Sequence, residues 1–227
     1  MKRYFANVLS CRPLTEGTMP VYELMLTKPK DFDYRQGQFV GFIMAHNNKE
    51  IIRWYSFASH PSQDELRFWI KFVPGGFMSE KLKFFSEGDP IELTEARGNL
   101  MLPEETTIAI VTGTGVAPIM SLIADKDKLN LHVIWGVRDK DYAIRGDEIH
   151  KSVTIRGGKL TPCYSKPAQG NGRHVGDVVS LLPSLKDYHF ILVGNPDMVR
   201  EQRKFLLNVG VENSRIQAEI FAPGMPV

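Results

Sequence analysis

Cysteine is nearly absent: Cys11 and Cys163 are the two thiols in 227 residues. Two thiols so far apart make no disulfide framework. They also exclude an iron–sulfur cluster held by four thiolates of this chain. A reduced, cytoplasmic setting is the expectation that follows. Long apolar runs are missing, so no segment is expected to span a bilayer. The first residues, Met1-Lys2-Arg3-Tyr4-Phe5, lack the sustained apolar core of a signal peptide. Neither sign of charge dominates: 28 Lys and Arg against 26 Asp and Glu leave a formal +2, interspersed along the chain. That argues against a dedicated nucleic-acid binder. Internal repeats and low-complexity segments are also missing, and no metal site is expected.

The chain does hold two different periodicities. Up to about residue 102, short segments rich in β-branched and aromatic residues are separated by turn residues. Strands are expected at Tyr4–Pro13, Val21–Thr27, Gln38–Met44, Ile51–Ser59, Leu66–Val73 and Pro90–Thr94. Their spacing suggests an antiparallel β-barrel, interrupted by one helix over Ser79–Phe85 that follows Pro74-Gly75-Gly76. Past Pro103-Glu104-Glu105 the pattern becomes strand–helix alternation, starting at Thr107–Thr112 and ending at Ile216–Phe221. That alternation predicts an α/β doubly wound parallel sheet. The expected division is therefore two domains, 1–102 and 103–227.

Four stretches carry candidate chemistry. Arg53-Trp54-Tyr55-Ser56 offers a planar cation for a phosphate, an aromatic face with a hydroxyl, and a small donor-acceptor, which together suit a flavin. The same residues also read as an ordinary strand. Gly76-Phe77-Met78-Ser79 exposes backbone N–H groups at a helix start, with Ser79 as a hydroxyl donor or cap. It reads either as an anion seat or as a plain capped turn. Gly113-Thr114-Gly115-Val116-Ala117-Pro118 and Gly194-Asn195-Pro196-Asp197-Met198 are glycine-bearing turns at expected strand ends, where ligands of doubly wound sheets bind. Arg138, Lys166 beside Ser165, and Arg173 follow the next strands. Cations there accommodate a 2′-phosphate, or are solvated surface charges.

Taken in order, these motifs resemble the ferredoxin–NADP reductase superfamily over nearly the whole chain, most closely the bacterial ferredoxin (flavodoxin)–NADP reductases. Arg53-x-Tyr55-Ser56 is similar to the family's flavin motif, and Gly76-x-x-Ser79 to its flavin pyrophosphate loop. The turns at Gly113 and Gly194 are similar to its pyridine-nucleotide turns. Ala218-Glu219-Ile220-Phe221 resembles its C-terminal segment. The resemblance implies an FAD-binding barrel followed by an NAD(P)-binding domain. It implies an enzyme that transfers hydride between NADP(H), with NAD(H) possible, and FAD, and exchanges electrons with a ferredoxin or flavodoxin.

Carried over by position, Arg53, Tyr55, Ser56, Lys71, Phe72, Gly76, Phe77, Met78, Ser79, Thr114 and Phe221 would meet FAD. Gly115, Arg138, Ser165, Lys166, Arg173, Gly194, Asn195, Asp197 and Met198 would meet NADP. Ser56 and Glu219 would be the catalytic pair. The family's usual Cys before the second turn is Val193 here, Lys166 stands where Arg is common, and residues 222–227 continue past Phe221. Arg67, Lys71, Lys81 and Lys83 are expected as a docking patch for the acidic carrier, and the protein is expected to be a monomer. The alternatives are an NAD(P)H:flavin reductase, an oxygenase reductase component, and a non-catalytic flavin electron-transfer subunit.

Overall fold

A computed structural model describes residues 2–47, 49–168 and 170–221. The 222–227 tail therefore lies outside the described residues. The first half forms β1 (Tyr4–Pro13), β2 (Val21–Thr27), β3 (Phe39–His46), β4 (Lys49–Ser56), β5 (Glu65–Lys71) and β6 (Pro90–Leu93). They make one sheet in the order β4-β3-β6-β1-β2-β5, antiparallel throughout. The sheet curls until its edge strands β4 and β5 touch. Just past β4, the Ala58 amide donates to the Arg67 carbonyl at 2.9 Å. The barrel is therefore only partly zipped along this seam.

Alternate side chains fill its interior. Leu24, Leu26, Val40, Phe42, Phe57, Leu66, Phe68 and Leu93 are all fully buried there. Phe68 stands edge-on to Phe42 at 5.0 Å and tilted against Phe57 at 5.2 Å. Helix α1 (Phe77–Leu82) plugs one end through Met78 and Leu82, one turn apart. It starts two residues earlier than its apolar spacing predicts. Gly76 is the N-cap and Ser79 sits inside the first turn, so Ser79 is not the cap.

The second half runs β7 (Thr107–Thr112), α2 (Ala117–Ile123), β8 (Leu131–Val137), α3 (Gly146–Thr154), β9 (Lys159–Tyr164), α4 (Val175–Val179), β10 (His189–Gly194), α5 (Pro196–Asn208) and β11 (Ile216–Ile220). The strands are parallel in the order β11-β10-β7-β8-β9. Both faces are covered, which explains why β7 and β10 read as unbroken apolar runs. Ala109, Val111, Val133, Trp135, Ile191 and Val193 face α2 and α3. Ile108, Ile110, Ile134, Phe190 and Leu192 face α4 and α5. The strand–helix alternation places a helix near Asp177–Leu182; α4 instead begins at Val175, because the His174 amide donates to the Asp177 carboxylate at 2.7 Å and fixes the cap.

Four barrel-side residues leave their own core. Val21, Ala58, Trp69 and Leu100 are buried in the cluster that fills the α2–α3 face of the second half. Chain order changes direction between β10 and β7, and the strand ends there open toward the seam between the halves. Among the described residues, no helix is long and apolar enough to cross a membrane.

Phe68→Ala should cost about 3–5 kcal/mol of stability, as expected for an aromatic ring deleted from a packed core. Urea unfolding measures this. A loss under about 1 kcal/mol would mean the barrel interior is not packed as described.

Candidate active site

One cavity of about 1000 Å³ lies between the halves and is lined from both. The barrel contributes its seam. Because β4 and β5 are edge strands, Arg53, Trp54, Tyr55 and Ser56 at the end of β4 come close to Trp69, Ile70 and Lys71 at the end of β5. The chain then turns through Gly75, at φ +71°, into α1 and adds Gly76, Phe77, Met78 and Ser79 to the same wall.

The seam residues are held in different ways. The Arg53 guanidinium donates to the Ile52 carbonyl at 2.9 Å and has no carboxylate partner among the described residues. Tyr55 packs on Phe42 at 4.8 Å. Burial pushes its phenol above the ordinary range against the opposing pull of Arg53, so it stays protonated. Trp54 meets Phe39 edge-on at 5.5 Å and carries the Arg97 guanidinium 5.3 Å above its ring. Ser56 is buried, and its Oγ has no hydrogen-bond partner among the described residues. A buried hydroxyl without a partner costs about 1–3 kcal/mol, so Ser56 is poised for a partner the chain does not supply.

The opposite wall consists of strand ends. Gly113 adopts φ +53°, with open space where a Cβ would stand, so its backbone faces the cavity bare. Its carbonyl accepts from Trp135 Nε1 at 2.9 Å, which ties the turn to β8. Gly115 does not line the cavity. A Cβ there would lie 2.6 Å from the Val193 carbonyl, so this glycine lets the turn press against β10. Gly194, at φ +130°, has Thr112 Oγ1 where its Cβ would be. That same oxygen accepts from the Asn195 amide at 2.8 Å. The Asn195 side chain caps α5, accepting from the Asp197 and Met198 amides at 2.9 and 3.2 Å. Asn195 thus lines the cavity and starts the helix at once.

Arg138, Ser165 and Arg173 do converge on this wall. Arg138 stands 5.9 Å over the Tyr142 ring. The loop after β9 folds back, with the Arg173 amide donating to the Tyr164 carbonyl at 2.8 Å. Phe221 lines the cavity too, its amide bonded to the Gly194 carbonyl at 2.8 Å.

Several expected residues stand elsewhere. Phe72 is buried, with Lys83 Nζ 4.3 Å over its ring, and Lys166 is outside the lining. Glu219 is buried behind Gly98 and does not line the cavity. Its Oε2 has no partner among the described residues, and burial pushes the carboxyl up to about 8. The expected docking patch is only partly free: Arg67 pairs with Glu148 at 3.0 Å and Lys83 with Glu80 at 3.1 Å. Trp54, Trp69, Tyr142, His174, Asp177 and Gln202 line the cavity without having been singled out. Aromatic residues beside a motif were the one signal available for the first two.

The barrel wall fits a flavin dinucleotide. An unpaired guanidinium, an aromatic surface, an orphaned hydroxyl and the bare first-turn amides of α1 match phosphates, ring and ring edge.

Comparison with known proteins agrees. Residues 14–101 match a family model described as the oxidoreductase FAD-binding domain. Ferredoxin–NADP reductase A of Sorangium cellulosum is 31% identical over 227 residues, covering 86% of this chain and 80% of that protein. The reductase component of the naphthalene 1,2-dioxygenase/salicylate 5-hydroxylase systems of Ralstonia is 26% identical, covering 92% of this chain and 67% of that protein. The crystal structure of a ferredoxin NADP+ reductase from Neisseria gonorrhoeae with bound FAD and NADP superposes with a TM-score of 0.80 at 20% identity. It covers 97% of this chain and 99% of that one.

The raised Glu219 value makes a signed prediction. Below about 4.5, the ordinary value, the carboxyl is protonated folded or unfolded. Between 4.5 and about 8 only the unfolded chain releases the proton, so stability falls as pH rises, by up to about 1.4 kcal/mol per pH unit. Glu219→Gln should therefore gain stability over the wild type progressively from pH 5 to 8, read as melting temperature against pH. Parallel curves would refute the assignment.

Proposed function

Because the chain belongs to the ferredoxin–NADP reductase family, we propose that this cavity moves electrons between a pyridine nucleotide, a bound FAD and a small carrier protein. We take residues 1–102 as the flavin half and 103–227 as the nucleotide half. The observation that carries the reading is one cavity with Arg53, Ser56 and Gly76–Ser79 on one wall. On the other stand Thr114, Gly194, Arg138 and Arg173.

FAD, when bound, supplies the exchange between two-electron and one-electron partners. The chain's own residues bind and orient. Arg53 and the turn from Gly76 to Ser79 hold the cofactor's phosphates from two sides. Tyr55 and Lys71 flank it, Phe77 and Met78 extend that surface, and Phe72, buried outside the cavity, backs the wall without touching the cofactor. Ser56 Oγ finds its missing partner at the ring edge. Thr114 and Phe221 reach it from the nucleotide half. Across the gap, the bare Gly113 backbone and the close-packed Gly115 and Gly194 let the pyridine nucleotide approach, with Asn195, Asp197 and Met198 beneath it. Arg138, Ser165 and Arg173, with the Lys166 amide bonded to the Arg138 carbonyl, favour a 2′-phosphate and so NADP(H) over NAD(H). Glu219, protonated near neutral pH, can give or take a proton behind the site.

The carrier is an acidic ferredoxin or flavodoxin that docks on Lys71 and Lys81 beside Phe84, which is 77% exposed. A monomer in the cytoplasm, with Cys11 and Cys163 both free, is the setting of this reading. A second reading, the reductase component of an oxygenase, is supported by the Ralstonia relative that spans 92% of this chain.

An anaerobic titration of the purified yellow protein tests the proposal. Bleaching should need less NADPH than NADH. Bleaching by NADH alone would reverse the reading of Arg138 and Arg173. Lack of bleaching by either would leave an electron-transfer subunit, and release of free flavin would make it a flavin reductase. Gly115→Ala should weaken NADP+ binding about tenfold or more while FAD is retained, because the added methyl pushes the turn off the Val193 carbonyl.

A further inference from the structure

Four charges close a ring across the seam between the halves. Glu23 of β2 is 2% exposed, far below what a lone carboxylate tolerates. Its Oε1 accepts from Arg145 Nη2 at 2.6 Å and from Arg12 Nη2 at 2.9 Å. Its Oε2 accepts from Trp69 Nε1 at 3.3 Å and faces Arg67 Nε at 3.9 Å. Arg67 Nη1 pairs with Glu148 Oε1 at 3.0 Å, and Glu148 Oε2 returns to Arg145 Nη1 at 3.6 Å. Glu23 and Arg67 belong to the barrel, whereas Arg145 and Glu148 stand at the start of α3. Arg145 holds φ +50°, a left-handed conformation that side chains rarely adopt. The surrounding contacts therefore dictate its backbone. Burial pushes the Glu23 carboxyl up, but hydrogen bonds from Arg12, Arg145 and Trp69 outweigh it and hold the group below its ordinary value.

This ring backs the cavity wall. Trp69 is the cross-strand partner of Glu23, lines the cavity, and is buried in the core of the second half. Strand β5, which carries it, touches the Gly113–Val116 turn. Val21 and Ile144, flanking the ring in sequence, line the same cavity. An apolar seam is non-directional and tolerates sliding. A buried ion pair adds little net stability but demands one geometry.

We propose that Glu23 is a positioning residue, and that the Glu23–Arg145–Glu148–Arg67 ring clamps the halves at the spacing that lets the second wall receive a pyridine nucleotide. The flavin contacts of Arg53–Ser56 and Gly76–Ser79 lie within the barrel and do not depend on it. The binding part of this rests on the proposed function; the clamp itself does not.

The test uses FAD-loaded protein and the variants Glu23→Gln, Arg145→Gln, their double, and the more exposed Glu148→Gln. Glu23→Gln should raise the dissociation constant for NADP+ about tenfold, with FAD retained and turnover at saturating NADPH within about twofold of wild type. The double variant should be no worse than the worse single one, because both break the same ring. Hydrogen exchange should speed up in 142–150 and at Trp69, the cross-strand partner of Glu23, but not in the rest of the barrel. The clamp is overturned by additive losses, by NADP+ binding within twofold of wild type, or by FAD loss in step with nucleotide loss. If Glu23→Gln does not fold, Glu148→Gln decides, with about a threefold weakening and faster exchange in 142–150 expected. Should the wild type itself bind no NADP+, the functional reading falls, and unchanged exchange in those segments would still sink the clamp.

Discussion

The molecule depends on a shared core. Val21, Ala58, Trp69 and Leu100 come from the first half of the chain yet are buried among side chains of α2, α3 and the parallel sheet. Two sheets with separate interiors are thereby made to meet at one line. On that line lie the partly zipped edge of the barrel and the carboxyl ends of the parallel strands. Most of each wall is the end of a strand or the turn that follows it, and the loop after β9 adds Ser165 and Arg173. The 1000 Å³ gap is what remains after the apolar seam has closed as far as its side chains allow.

Within that gap polarity is distributed unevenly. Most buried polar groups of a folded chain find partners. Ser56 Oγ and Glu219 Oε2 do not among the described residues, and both belong to elements that end at the seam. Ser56 pairs across the sheet with Phe39, whose ring packs where a Gly98 side chain would go, and Glu219 Oε1 lies 3.3 Å from that same point. The two orphaned groups thus occupy one neighbourhood, reached from opposite domains. Of the two, Ser56 opens on the cavity and Glu219 stands behind it.

Much of the fold was legible because local patterning and tertiary environment agree. The bounds of β1, β2 and β7 coincide with those expected from their apolar and β-branched residues. Boundaries slipped where caps rather than hydrophobic spacing decide, as at Gly76 and His174. In the site, glycine turns announced themselves, yet two glycines of one motif proved to serve different ends. Gly113 provides a bare backbone, and Gly115 makes room for the Val193 carbonyl. The Glu23 ring was not legible. Its members are 122 residues apart at the longest link, and nothing in a β-strand pattern distinguishes a carboxylate that faces solvent from one that faces another domain. Arg67 was misjudged for the same reason: its partner Glu148 lies on an element that sequence alone does not bring near.

Strand β9 forms one border of the parallel sheet, and Pro162 sits in its middle opposite Trp135. A proline has no amide hydrogen to offer outward, so a further strand cannot be added there without losing a rung of the ladder. The border is sealed against growth, both by insertion within the chain and by stacking of a second copy edge to edge. The loop that leaves β9 and carries Ser165 and Arg173 is therefore not competed for as sheet.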